Sequence, residues 1–456
     1  MKFLRFAFIT VLACLIAGWW GAHIARKSHQ TRDMTALERF SQTALRFPHM
    51  LKVLVTGEAE DLSEPQNITK TPPNTKWLTT PQTVQDSGYL LFSTLNAEKQ
   101  AVIRFIEMGS GKILHEWFPN MNLILNDLNR SKELIVEAFE KGELGVPLKN
   151  DRIARNKLAI ELGNPLLLKD YSIVFNCGGL GHLYRLDKNS ELIWRSEDLV
   201  HHGFEQDANG NIWACGVDLK NPLAKQYEYK DDAAICIDIN TGKTLQNHSL
   251  TEIFKINNLL AEEIFSHAAA VKMFGNDPFH LNDVQPVLKT AKHWQKGDIF
   301  LSLPVQSMLV LYRPSTKKII WKTTEGLCSV HDVDIVNDST ISAFNNNIAF
   351  GEVSIPMNQP ANSDIVLYHF NSNLISTPYS EYLKTINFFT ASQGRHEILE
   401  NGSLFLDESN SGMLYKMNPA GDIIWQTYIP YADNETQVMS ASWPRYYSKT
   451  NNGFTE

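Results

Sequence analysis

Short apolar runs, each followed by a polar turn, recur through the chain from residue 88 onward. Each copy reads as a β-rich run, a second strand, a turn containing Gly or Asn, and a third strand that often ends near a tryptophan. The copies follow one another at roughly 50 to 80 residues, which is longer than compact propeller repeats. Six copies can be followed, and their clearest strands are Gly88–Leu95, Ser172–Cys177, Asn211–Val217, Asp298–Leu303, Thr340–Phe344 and Ser403–Leu406.

Repeated antiparallel sheets that cannot bury both faces alone stack radially around an axis. The pattern therefore predicts an all-β fold, a six-bladed β-propeller over residues 88–447, with a C-terminal tail at 448–456. Insertions at Asn126–Gly145 and Leu250–Phe265 have helical character and lengthen the repeat. Trp194, Trp321 and Trp425 occupy one repeat position, so we interpret them as core between blades.

The N-terminal region is organised differently. Phe6 to Ala25 is apolar except for Thr10 and His23, and about 20 such residues span a bilayer core. We expect an uncleaved transmembrane helix within a membrane anchor at residues 1–30, with a cleaved signal peptide as the alternative. Residues 31–87 are predicted to form a helical stalk, at Thr35 to Val55, and a linker. The propeller is expected to lie outside the cytoplasmic membrane.

Composition limits the partners. The formal charge of the 456 residues is -8, so the chain has no basic excess with which to bind nucleic acid. The oligomeric state is left open.

No C-x-x-C motif is present. Cys177, Cys215, Cys236 and Cys328 allow three disulfide pairings, and buried free thiols are the alternative.

Histidines lie where several blade strands begin, at His201-His202, His280, His331 and His396. A lone histidine is usually a packing or surface residue, and we expect His201 to face solvent or cap a turn. Several at one phase of a propeller repeat instead converge on a central funnel. There they can act as metal ligands, as acid and base, or as a nucleophile. Asn345-Asn346 reads as a turn.

The order of these motifs resembles the bacterial arylsulfotransferases. The matching fragments are His-His-x-Phe, Asp-x-x-His-x-Asn, a Tyr-Arg hairpin ending in Lys-Ile-x-Trp, His-Asp before Phe-Asn-Asn, and Gly-Asp-Ile-Ile-Trp. The resemblance covers roughly residues 165 to 447. It implies a periplasmic six-bladed propeller that moves a sulfuryl group from an aryl sulfate to a phenol, without a nucleotide donor or other cofactor.

The resemblance also assigns site residues. It implies that His331 is the nucleophile, which becomes a transient sulfohistidine, and that His202 and His280 are its catalytic partners. Asn282 matches a substrate-binding Asn. The family arginine is replaced by Pro304, so Arg395, beside His396, is the expected substitute, and both are predicted to bind substrate. A ligand-binding propeller without catalysis and a metal site on His202, His280 and His331 are the alternatives, and donor and acceptor are not identified.

Overall fold

Six four-stranded antiparallel sheets are present in the described part of the computed structural model, and together they form a β-propeller. The structure describes residues 88–140, 162–177, 180–227, 229–259, 277–348, 362–430 and 441–449. The predicted anchor, stalk and linker lie outside the described residues, as does most of the predicted tail. Within the described ranges, no helix has the length and apolar character needed to cross a membrane.

The blades follow one another along the chain. Blade 1 contains β1 (Tyr89–Leu95), β2 (Ala101–Glu107) and β3 (Ile113–Trp117), and blade 2 contains β4 (Leu162–Leu167), β5 (Ile173–Cys177), β6 (Tyr184–Leu186) and β7 (Leu192–Arg195). Blade 3 contains β8 (Val200–Gln206), β9 (Ile212–Val217), β10 (Asp232–Ile237) and β11 (Thr244–Ser249). Blade 4 contains β12 (Asp283–Pro286), β13 (Ile299–Leu303), β14 (Met308–Arg313) and β15 (Lys318–Thr323).

Blade 5 contains β16 (Val330–Asn337), β17 (Thr340–Asn345), β18 (Asp364–His369) and β19 (Leu374–Ser376). Blade 6 contains β20 (Arg395–Ile398), β21 (Leu404–Glu408), β22 (Met413–Met417) and β23 (Ile423–Tyr428). The last strand, β24 (Arg445–Tyr447), pairs with β1 and gives blade 1 its fourth strand. The six predicted repeat copies correspond to the six sheets, so the propeller prediction is confirmed.

Helices are insertions between these strands. They are α1 (Met121–Glu140), α2 (Pro222–Tyr227), α3 (Leu250–Ile256) and α4 (Ser380–Thr385). The helix predicted at Asn126–Gly145 is found, but it begins earlier, at Met121. The one predicted at Leu250–Phe265 ends at Ile256, where the Asn257 amide side chain donates to the Ile253 carbonyl and stops the helix.

The hydrophobic core lies between the blades. A buried apolar cluster is present at each of the six interfaces between neighbouring sheets. Trp194, Trp321 and Trp425 pack in three of these clusters, as their repeat position predicts. Each sheet thus buries both faces, which explains why many strands are continuously apolar.

The strand nearest the axis is the first strand in blades 2 to 6 and β24 in blade 1. Neighbouring first strands, such as β8 with β12 and β12 with β16, are in contact, whereas the fourth strands, such as β11, are largely exposed. Residues at the start of the first strands therefore gather at one end of the axis. The predicted histidines occupy this position in the chain.

The four cysteines in the part of the chain that the structure describes are free thiols. Cys177, Cys215 and Cys236 are buried in the inter-blade clusters, and Cys328 is half-buried. Burial raises the pKa of the Cys236 thiol to about 12, so this side chain behaves as a small hydrophobic residue.

Candidate active site

Irregularities in the inner strands present the histidines at the axis. The register of β8 against β9 shifts between Val200 and Phe204, and that of β16 against β17 shifts between Val330 and Val333. A bulge of this kind turns a side chain away from the regular pleat and is common next to active sites. His202 and His331 lie within these two bulges.

The backbone at the cluster is strained. His202 has φ +48°, His280 has φ +49° and Ser329, two residues before His331, has φ +58°. Side chains other than glycine adopt this left-handed region at a cost of about 1–3 kcal/mol, and such residues concentrate at functional sites. The strain is therefore a second sign that the fold holds these rings in place for a purpose.

Three imidazoles come together at this end of the axis. The ring centroids of His202 and His280 are 4.9 Å apart. His331 is close enough to His202 to help lower the pKa of that ring, and close enough to His280 for its own pKa to be lowered by it. His331 is 4% exposed, whereas His202 and His280 are half-buried. The structure thus brings together the three residues that the sequence assigned to catalysis.

Hydrogen bonding fixes the tautomer of His331. Its Nδ1 lies 3.1 Å from the Ser329 carbonyl oxygen, which can only accept, so Nδ1 carries the hydrogen. Burial lowers the pKa of His331 to about 4; the Ser329 carbonyl opposes this shift and the neighbouring His280 adds to it. The ring is therefore neutral at pH 7, and Nε2 holds its lone pair.

His280 is oriented by a carboxylate. Its Nδ1 lies 2.8 Å from Asp277 Oδ2, and its backbone N–H donates to Asp277 Oδ1 at 3.0 Å. Although burial opposes ionisation, Lys230 and His280 hold the pKa of Asp277 far below its usual value. An ionised carboxylate accepts only, so Nδ1 of His280 also carries a hydrogen.

Protonation of the His202 ring is disfavoured in this cluster. Burial, followed by the proximity of His280, His201 and Lys230, lowers its pKa well below the usual histidine value. Like potential charges so close together cannot all be ionised. An anion bound among the rings would reverse this preference, because its negative charge favours protonation.

Asn282 contributes an unusual amide. The residue is fully buried, and neither Nδ2 nor Oδ1 has a hydrogen-bond partner within the described residues. Its backbone is held by the Ser302 carbonyl and by Gly203 N–H. A buried amide without partners costs free energy, which a polar ligand group would recover.

The turn after β13 occupies the position of the family arginine. Pro304 begins this turn, and its carbonyl accepts from Ser307 N–H at 3.0 Å. Nearby, the Gln306 amide donates to the Pro278 carbonyl at 2.5 Å, which ties the turn to the loop that carries His280. Pro304 therefore shapes the His280 loop but provides no positive charge.

Arg395 belongs to a separate polar cluster. Its guanidinium contacts Glu205 Oε1 at 3.2 Å and Asn164 Oδ1 at 3.4 Å. Arg445 binds the same two side chains, at 2.7 Å each. These contacts join the inner strands β4, β8, β20 and β24, and we call the four residues the closure cluster.

His396 is fully buried behind the axis. Its Nε2 is hydrogen-bonded to Ser342 Oγ at 2.7 Å, and its Nδ1 lies at ion-pair distance, 2.7 Å, from Asp332 Oδ2. Asp332 is the residue that follows His331. His396 thus reaches the proposed nucleophile only through the Asp332 backbone.

Two expectations about neighbouring residues were wrong. His201 does not face solvent: it is 4% exposed, and its Nε2 lies 3.1 Å from Asp232 Oδ1. Asn346 is more than a turn residue. Its amide donates to the Thr390 and Gln393 carbonyls, which ties blade 5 to the loop before blade 6. A hydrogen bond with its side chain also raises the pKa of His331, against the larger lowering by burial.

A metal could be held by a different group from the one expected. Among the described residues, the ligand atoms of Asp332, Asp334 and His396 lie within 4.8 Å of one another, whereas the trio of His202, His280 and His331 does not form such a group. Asp332 and His396 already contact each other.

Lys230 and Asp232 are site residues that the sequence analysis did not find. Lys230 Nζ lies 2.5 Å from Asp277 Oδ2 and 3.0 Å from Asp232 Oδ1. They come from the loop before β10 and from its first residue, far along the chain from His280. The sequence offers no local signal for either residue. It does offer one for their partner Asp277, which lies three residues before His280, a spacing at which a side chain often bonds to the backbone.

Comparison with known proteins identifies the family of this chain. The model of the arylsulfotransferase (ASST) family matches residues 164–430, more than half of the chain. No curated protein sequence matches significantly. A crystal structure of a protein of unknown function from Bacteroides caccae shares 11% identity, with a TM-score of 0.45, over 80% of this chain and 99% of the other. The C-terminal WD40 domain of Sif2 shares 10% identity, with a TM-score of 0.35, over 74% and 83%. The family match, which includes all three histidines, shows that this chain belongs to the arylsulfotransferase family.

Proposed function

We propose that this protein transfers a sulfuryl group from an aryl sulfate to a phenolic acceptor through a sulfohistidine on His331. The observation that carries the proposal is the position of His331 beside His202 and His280, with Nδ1 held by the Ser329 carbonyl so that Nε2 can act as the nucleophile. Sulfuryl transfer needs such a nucleophile in line with the leaving group, together with positive charge on the equatorial oxygens.

In the first half-reaction, the lone pair of His331 Nε2 forms an N–S bond as the S–O bond to the aryl group breaks. The phenolate leaves with the bonding electrons, which is favourable because phenol has a pKa of about 10. His202 and His280 bind the sulfuryl oxygens. Binding of the anionic ester favours protonation of one of these imidazoles, which then donates hydrogen bonds to the oxygens.

In the second half-reaction, a phenol oxygen attacks sulfur and the N–S bond breaks. The electron pair returns to His331 Nε2, and the phenolic proton passes to His202 or His280. The two half-reactions share one site, so ping-pong kinetics are expected.

The remaining contacts with substrate are assigned from position. The Asn282 amide lacks partners in the described structure and can donate to a sulfuryl oxygen. Arg395 and His396 remain proposed substrate-binding residues. Their contacts with Glu205 and Asp332 favour an indirect contribution, through the charge and placement of the inner strands.

The test is a single-turnover labelling experiment. Purified protein is exposed briefly to a chromogenic aryl sulfate, quenched at alkaline pH and digested, and the peptide containing His331 should carry one added sulfuryl group. His331→Asn should abolish both the adduct and phenol release. His293→Asn is the matched control, because this histidine lies on a surface loop and contacts Asn371.

Two outcomes would contradict the proposal. An adduct on another residue, or full activity of His331→Asn, would move the chemistry elsewhere. No phenol release by the wild-type protein would favour a ligand-binding propeller that lost transfer chemistry when Pro304 replaced the family arginine. Aryl sulfate binding measured by calorimetry would then identify that second function.

We also propose that the propeller is held at the outer face of the cytoplasmic membrane by the apolar segment of residues 6–25. Membrane fractions washed with alkaline carbonate should retain the full-length chain, and protease added outside the inner membrane should degrade it. Release by the wash, or protection from the protease, would contradict this placement.

A further inference from the structure

A buried ammonium group lies beside the histidine cluster. Lys230 Nζ contacts two carboxylates, Asp277 Oδ2 at 2.5 Å and Asp232 Oδ1 at 3.0 Å. The Lys230 side chain is 22% exposed, whereas those of Asp277 and Asp232 are 8% and 0% exposed. Taking three charges out of water is costly, so the arrangement needs a reason beyond stability.

Each carboxylate also binds a histidine of the site. Asp277 accepts from the His280 backbone and contacts its Nδ1, while Asp232 contacts His201 Nε2. The second oxygen of Asp232 accepts from Leu281 N–H at 2.6 Å, directly after His280. Lys230 is therefore bonded to both carboxylates that position the His280 loop.

The charges in this network act in opposite directions on the imidazoles. Although burial opposes its charge, Asp232 and Asp277 raise the pKa of Lys230, so it is an ammonium at neutral pH. Burial and then Lys230 lower the pKa of His201, whereas Asp232 and Asp277 raise it. Lys230 also adds to the lowering of the His202 pKa by burial and by the neighbouring imidazoles.

We infer that Asp277 and Lys230 are positioning residues of the histidine cluster. Asp277 sets the tautomer and direction of the His280 ring, and Lys230 limits the negative charge that His280 and His202 face. The inference rests on the proposed function, because a tautomer and a protonation state have consequences only if these rings take part in transfer. His202 and His331 then stay neutral until an anionic ester arrives.

The groups that face His202 and His280 define what a titration would report. His202 faces His201 on its own strand, and His280, Lys230 and His331 from other elements. His280 faces Asp277, with Lys230 behind it. Replacing Lys230 removes the one cation among these groups, since the others are imidazoles and carboxylates.

The test combines histidine NMR with kinetics on the full chain. In protein labelled with ¹⁵N-histidine, Lys230→Met should raise the titration midpoint of His202 by about one pH unit, as expected on loss of a neighbouring like charge. Asp277→Asn should shift His280 toward the Nε2–H tautomer, because an amide can turn its NH₂ group toward Nδ1. Lys230→Arg keeps the charge, so its midpoints should match the wild type.

Kinetics give an independent readout. Lys230→Met should move the acidic limb of the kcat/KM profile to higher pH, and Asp277→Asn should lower kcat by a factor of roughly 100 or more with a smaller change in KM. The control is Lys289→Met, an exposed lysine paired with Asp338. It should leave the profile unchanged.

The results separate this inference from the proposed function. Unchanged midpoints and tautomers in folded Lys230→Met and Asp277→Asn would overturn the positioning role even if the wild type is active. Shifted midpoints in a protein that transfers no sulfuryl group would instead overturn the proposed function. If Lys230→Met does not fold, a midpoint in Lys230→Arg that departs from the wild type would still count against the inference.

Discussion

Burial of the neutral His331 ring makes the free energy of unfolding depend on pH. In the folded chain its pKa is about 4, whereas an unfolded histidine titrates at about 6.5. Between these values the unfolded state binds more protons, so stability falls as the pH is lowered from about 6.5 to about 4. Over that whole range the loss amounts to about 3 kcal/mol at most.

We therefore predict that His331→Asn makes unfolding less sensitive to acid. The difference in thermal midpoint between pH 7 and pH 5 should be smaller in His331→Asn than in the wild type, because asparagine binds no proton. Circular dichroism melts at the two pH values measure this. His293→Asn should retain the wild-type difference, and equal pH differences in all three proteins would show that the His331 ring is not buried as a neutral group.

For individual residues, the sequence predicted the three histidines that meet at the axis but not the residues that contact them. His202, His280 and His331 were identifiable because a propeller repeat places equivalent positions at the axis. Lys230 and Glu205 were not, since a lysine and a glutamate on a polar stretch look like ordinary surface charges. Their roles depend on contacts with other blades, which no local pattern encodes.

Aspartates link one blade to the next at the level of strands. Asp232 of β10 accepts from Leu281 N–H, Asp283 of β12 accepts from Val333 N–H at 3.1 Å, and Asp332 of β16 accepts from His396 N–H at 2.8 Å. The same device thus connects blades 3 to 4, 4 to 5 and 5 to 6. Each aspartate thereby satisfies a buried backbone N–H of the next blade.

Asp332→Ala should separate blades 5 and 6. The substitution removes the bond to the His396 backbone and leaves the buried His396 ring without its carboxylate, so a loss of about 3–5 kcal/mol is expected. Thermal unfolding and limited proteolysis of the 377–394 connection measure it. Asp338→Ala, at the exposed turn of the same blade, is the matched control. Equal stability of the two variants would show that the link is dispensable.

A second strand-level prediction concerns Asp283, whose charge opposes folding. Burial, and then the nearby Asp332 and Glu205, raise its pKa well above the usual value. The folded state therefore keeps a proton that the unfolded chain loses near pH 4, and stability falls as the pH rises above that value. The thermal midpoint falls between the pH of maximum stability and pH 8, and this fall should be smaller in Asp283→Asn than in the wild type. A steeper decline in the variant would contradict this.

The strands themselves were predictable to different degrees. Second and third strands such as β9 and β10 are apolar runs bounded by turns, and their pattern predicted them. The first strands β4 and β12 were missed. Their segments, Leu162–Leu167 and Asp283–Pro286, contain proline and polar residues because they lie at the inner edge of their sheets, and β4 is also bulged.

The ring as a whole is closed by β24 and by the closure cluster of Asn164, Glu205, Arg395 and Arg445. Arg445 contributes to closure through both its backbone and its side chain. Its strand pairs with β1, and its guanidinium binds Glu205, Asn164 and the Phe204 carbonyl. Planar, multiply bonded contacts of this kind suit arginine better than lysine.

Arg445→Met should weaken the whole molecule rather than one blade. Removing the guanidinium leaves the half-buried Glu205 carboxylate with Arg395 alone, so the thermal midpoint is expected to fall by roughly 5–10 °C. Arg445→Lys should give an intermediate value. Lys449→Met, which removes an exposed pair with Glu107, is the control. A midpoint for Arg445→Met equal to that of the control would show that closure depends on strand pairing alone.

Closure by β24 also sets the order of events during synthesis. Tyr89, at the start of β1, pairs with Tyr447 of β24, so the first described strand can complete its pairing only when the last one has been synthesised. Until then β1 presents an unpaired edge, which is a template for aggregation. Contacts so far apart in sequence also form slowly. A chain that leaves the ribosome from its N-terminus therefore cannot complete its fold until residue 447 has emerged.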